Sequence, residues 1–122
     1  SLVDPKVARL LRGNELAAPD LLIPETLNAF WKLRRAGHEA PERSYILRLL
    51  DQIRIVPSRA LAARAAELAE ELDHAVCDCM YLALAEAETD VLITADEIFE
   101  RKTRVASLRK RVRLVRLNRP AP

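Results

Sequence analysis

The chain switches repeatedly between short apolar runs and stretches whose apolar residues recur every three or four positions. A short apolar run from Asn14 to Ala18 ends at Pro19-Asp20 and reads as a strand. The pattern then changes period: Ile23, Leu27, Phe30, Trp31 and Leu33 predict a helix with Pro24 in its first turn and Gly37 near its end. Pro41-Glu42 suits the start of a second helix, in which Tyr45, Ile46, Leu49, Leu50 and Ile53 follow the 3.6 period. Ile55-Val56 makes a short strand before Pro57. Ser58 is placed to cap a third helix, whose Leu61, Ala65, Leu68 and Leu72 keep the i, i+4, i+7, i+11 spacing.

After Asp73-His74, residues 76–87 are apolar almost all round, and such a helix must be buried on most sides. Val91 to Thr94 is a continuous apolar run of the kind a buried parallel strand shows, followed by a polar helix from Glu97 to about Ala106. Val112 to Leu117 closes as a strand whose arginines suit a sheet edge. Strands alternating with helices predict an α/β three-layer sandwich with a mainly parallel sheet. No linker, repeat or low-complexity tract divides the chain, so residues 1–122 are expected to form one domain.

Composition narrows the chemistry. Half of the 122 residues are apolar and 31% are charged, a balance that supports a globular core. With only Gly13 and Gly37, no glycine-rich loop can bring its backbone against a phosphate. No apolar stretch reaches the roughly 18 residues that cross a bilayer, and no signal pattern opens the chain, so a cytoplasmic protein without membrane contact is expected. Cys77 and Cys79 are spaced for neither an unstrained disulfide nor a common zinc finger. His74 does not complete a zinc set, so two buried thiols are expected.

The net charge of +2 conceals a segregation. Residues 67–100 hold 11 acids and no Lys or Arg, whereas residues 101–122 hold 9 Lys/Arg and no acid. The basic block, with Arg109, Lys110 and Arg111 at its centre, suits contact with a polyanion or neutralisation of the neighbouring acidic segment.

Three acids stand in apolar settings. Asp78 lies at the start of the most apolar helix, where an unpaired carboxylate would be costly. Asp96 follows the strand ending at Thr94, at the edge where parallel sheets place ligands, although Thr94-Ala-Asp-Glu97 also fits a capping box. Glu25 falls in a first helical turn, where an acid gains from the helix dipole alone. The α/β order puts all three on one sheet edge, where they would repel unless a divalent cation held them. A carboxylate cluster with no cysteine or histidine nearby prefers Mg²⁺ or Mn²⁺, whose natural chemistry is phosphodiester hydrolysis. His38, in a turn, and His74, in a loop, are not expected to act as general bases.

Three blocks resemble successive motifs of PIN-domain ribonucleases, especially the VapC toxins of type II toxin-antitoxin modules. These are Ala18 to Trp31, the segment from Asp78 to Ala85 (Asp-Cys-Met-Tyr-Leu-Ala-Leu-Ala), and Leu92 to Asp96 (Leu-Ile-Thr-Ala-Asp). The resemblance implies that Glu25, Asp78 and Asp96 occupy the places of the family's metal-binding acids, with Thr94 as the hydroxyl residue beside the last. It also implies Mg²⁺- or Mn²⁺-dependent cleavage of RNA, homodimers and inhibition by a cognate antitoxin. The family opens with a central strand ending in an aspartate, and Asp4, 21 residues before Glu25, is too close to take that place. Loss of a central strand would strand its neighbours' backbone groups, so an upstream segment of about 20 residues is expected in the parent gene.

Two other readings are open to the sequence. One is a catalytically inactive PIN-fold binding or regulatory protein. The other is a phosphoacceptor signalling domain, which needs a lysine after the last apolar strand that the chain does not place there. Phe30, Trp31, Tyr45 and Leu49 suit either a core or a groove for a partner helix or second copy.

Overall fold

The computed structural model describes residues 15–88, 92–94, 97–105 and 112–114, with only the backbone described at 92–94, 97, 105 and 112–114. It is a mixed α/β chain in two compact units, Ser1–Val56 and Pro57–Pro122. Its strands pair in parallel, as a helix-crossover order requires.

In the first unit, β1 (Ala17–Pro19) lies parallel to β2 (Arg54–Val56), with Ala18 opposite Ile55. Backbone bonds from Arg54 to Leu16 and from Asp20 to Val56, both 2.9 Å, continue the pairing at either end. The strand thus begins and ends later than the apolar run from Asn14 implies. The connection between them carries α1 (Leu22–Arg35) and α2 (Arg43–Asp51). Pro24 falls in the first turn of α1, where its missing N–H costs no helix bond. Gly37 ends that helix at φ 83°, and the His38 amide donates to the Leu33 carbonyl at 2.9 Å, closing a Schellman turn. α2 buries Ile46 and Leu50, while α1 buries no residue fully. Trp31 and Tyr45 are exposed, and Phe30 and Leu49 half-buried, so the aromatic positions are not core.

The second unit opens with a 3-10 turn, Ser58–Ala60, before α3 (Ala62–Leu72). Ser58 therefore does not cap the helix directly as its position suggested; Pro57, extended at ψ 135°, leads into the extra turn. The predicted stripe of Leu61, Ala65, Leu68 and Leu72 is buried at all four positions. It packs on α4 (Val76–Ala87), which buries Cys79 and Leu82 to Ala85. Arg64 spans the pair, its guanidinium donating to both carboxylate oxygens of Glu86 at 2.8 and 3.0 Å. These bonds raise the Arg64 pKa above its already high ordinary value. β3 (Leu92–Thr94) touches α4 and runs parallel to β4 (Val112–Leu114), and between them comes α5 (Glu97–Val105). Phe99 and Thr103 of α5 are buried, the hydroxyl donating to the Glu100 carbonyl at 2.6 Å.

Two expectations need correction. The helix expected to be covered on most sides is covered so only in its second half: Val76 and Cys77 are exposed, and Met80 and Tyr81 are half-buried on the same face. Of the two thiols expected to be buried, only Cys79 is. Residues i and i+2 lie about 200° apart on a helix, so both cannot face α3. Burial, with the nearby Asp78 charge, pushes the Cys79 thiol pKa up.

Candidate functional site

A candidate site has to be built from side chains that local structure holds in place. Asp78 is the best defined. It stands at the third position of α4, so it faces the free amides and positive dipole end of the helix. Its side chain is 47% exposed, which differs from the buried carboxylate that the apolar sequence around it suggested. The open first turn keeps one side of the carboxyl in solvent, and the cost of desolvating it is correspondingly small.

Its partner was not foreseen. His74 Nε2 lies 2.7 Å from Asp78 Oδ2, so the acid is neither unpaired nor without a nearby histidine. The His74 side chain is 11% exposed, and its ring meets that of Phe99 at 4.7 Å between centroids. The four-residue spacing was visible, but His74 precedes the helix. Whether it reaches Asp78 depends on the turn between α3 and α4, for which local sequence gives little signal.

Glu25 occupies the first turn of α1 in the first unit, exposed as a helix-start acid should be. Thr94 ends β3, its Cα opposite Leu114 in the parallel register, so the chain leaves this pair at the carboxyl edge where α/β sheets place ligands. Asp96, two residues on, lies outside the described residues, and with it the Thr94 to Glu97 capping box. Among the described residues, no three His, Cys, Asp or Glu side chains form a group able to hold a metal ion. His38 is exposed just beyond the Gly37 turn.

The chemistry open to Asp78 is that of a hard oxygen donor. A helix-start carboxylate with one oxygen held by an imidazole retains lone pairs for a cation such as Mg²⁺ or Mn²⁺. The PIN domain family model matches residues 4–105, a span that includes Glu25, Asp78, Thr94 and Asp96. The chain belongs to the PIN domain family. PIN domains are generally nucleases and typically use divalent metal ions. No curated protein matches this PIN chain. Among its described residues, no helix is long and apolar enough to cross a membrane.

Proposed function

We propose that this PIN domain is a Mg²⁺- or Mn²⁺-dependent endoribonuclease of the VapC type, the toxin of a toxin-antitoxin pair. In this reading it works in the cytoplasm as a homodimer, and a cognate antitoxin inhibits it. Glu25, Asp78 and Asp96 supply the carboxylates for the metal, with Thr94 beside the last of them. The observation that carries the reading is Asp78, half-exposed at the start of α4 within the Asp-x-x-Tyr-Leu-Ala-Leu-Ala block of a chain that belongs to a family of nucleases.

The reaction is hydrolysis of an RNA phosphodiester. Water forms a new bond to phosphorus, one bridging P–O bond breaks, and the proton given up by water ends on the departing oxygen. A divalent cation, when bound, lowers the pKa of water and stabilises charge on the phosphate oxygens. The residues' own part is positional. Asp78 offers a carboxylate on a helix anchored by Cys79 and Leu82, and Thr94 marks the strand end from which Asp96 follows.

Incubation of the full-length protein with RNA and Mn²⁺ or Mg²⁺, with and without chelator, tests the proposal. Metal-dependent cleavage is expected, abolished by Asp78→Asn and by Asp96→Asn while both variants stay folded, because each change removes a metal-binding charge and keeps the side chain's size. RNA binding without cleavage would make the protein an inactive binder on the same fold. Unfolding of both variants regardless of metal would make the acids structural.

A further inference from the structure

His74 has a placement that the nuclease reading leaves unused, and three constraints fix it. The backbone is fixed first. Asp73 takes the left-handed conformation at φ 50°, ψ 55°, and the His74 amide donates to the Ala69 carbonyl at 3.1 Å, the long bond of a Schellman turn. The turn is braced from α5, where the Lys102 ammonium donates to the Asp73 carbonyl. The ring is fixed next, by burial and by Phe99, itself 2% exposed. The third constraint is the 2.7 Å contact with Asp78 Oδ2. Because a carboxylate oxygen accepts, the hydrogen of this contact is assigned to Nε2. The distance is that of a strong, charge-assisted bond.

We propose that His74 is the positioning residue for Asp78: it holds Oδ2 and so presents the other oxygen, Oδ1, to a divalent cation. The inference rests on the reading of Asp78 as a metal ligand. Asp78 is half-exposed on an open helix turn, and unheld it would exchange rotamers in solvent. No Lys or Arg lies between residues 67 and 100, so this stretch offers no cationic side chain of that kind to do the same work. Hydrogen-bond partners of this kind set ligand orientation, and their loss typically lowers metal affinity about 10- to 100-fold.

Two substitutions separate the hydrogen bond from the packing. His74→Phe keeps a ring against Phe99 and removes the donor; His74→Gln keeps an amide N–H near the Nε2 position and removes the ring. Calorimetric titration with Mn²⁺ should show dissociation constants about 10- to 100-fold weaker for His74→Phe and close to wild type for His74→Gln. In metal-free wild-type protein, the His74 imidazole N–H should give a protected NMR signal that Asp78→Ala removes. Unchanged Mn²⁺ affinity in His74→Phe would overturn the proposal while leaving the nuclease reading in place. So would equal losses in both variants with lowered melting temperatures, or an imidazole signal indifferent to Asp78→Ala. Wild-type protein that binds no Mn²⁺ and cleaves no RNA would overturn both.

Discussion

Asp73, at φ 50°, is the described non-glycine residue with a left-handed backbone, at the position after α3 where glycine is usual. The conformation costs an L-residue about 1–2 kcal/mol, and glycine would forgo about 0.4–1 kcal/mol through its looser unfolded chain. Asp73→Gly is therefore expected to gain about 0.5 kcal/mol, read as a higher urea midpoint at unchanged slope. The Lys102 brace survives because it uses the main-chain carbonyl. The two thiols offer a second test. Cys77 is exposed and Cys79 buried with its pKa raised, so iodoacetamide at pH 8 should modify one thiol in the native protein and two in denaturant. The sign for stability follows from the same shift. A thiol whose pKa is higher in the folded chain favours folding fully below the unfolded value. That contribution is lost as pH rises above about 9, because ionisation then becomes easier in the unfolded chain.

At the scale of elements, the α3–α4 pair carries the second unit. Leu68 and Leu82 are wholly buried there, beside the small residues Ala65, Cys79 and Ala83, which let the helices approach closely. Leu82→Ala should cost about 2–5 kcal/mol in chemical denaturation, since a close-packed interface cannot collapse onto the void. A loss under 1 kcal/mol would show that the helices repack. The stripe on α3 was legible because burial on one face imposes a 3.6-residue period that sequence displays directly. The start of α3 was not: whether Ser58 caps a helix or begins a 3-10 turn depends on how Pro57 enters, and 3-10 turns are frequent at helix starts. The one-sided burial of α4 was masked because its open face carries Val76, Cys77, Met80 and Tyr81, which read as apolar like the buried face.

For the molecule as a whole, the cationic block of residues 101–122 bears on RNA. If Arg109, Lys110 and Arg111 meet phosphates, replacing all three with Gln should reduce the slope of log affinity against log salt by about 2 for single-stranded RNA. An unchanged slope with lower stability would instead make the block a counterweight to the acidic segment before it. The sequence by itself determined the order of elements, the parallel pairing, the α3 stripe and the family to which the chain belongs. These follow from periodicity and from blocks such as Asp78 to Ala85 and Leu92 to Asp96, which are local in the chain. Only the tertiary structure decided which side of α4 is open, that Cys77 is outside and Cys79 inside, and that His74 holds Asp78. The first two depend on which face of α4 packs against α3, and the third on the turn between those helices, which Lys102 and Phe99 of α5 brace; a contact between residues distant in sequence leaves no period along the chain to read.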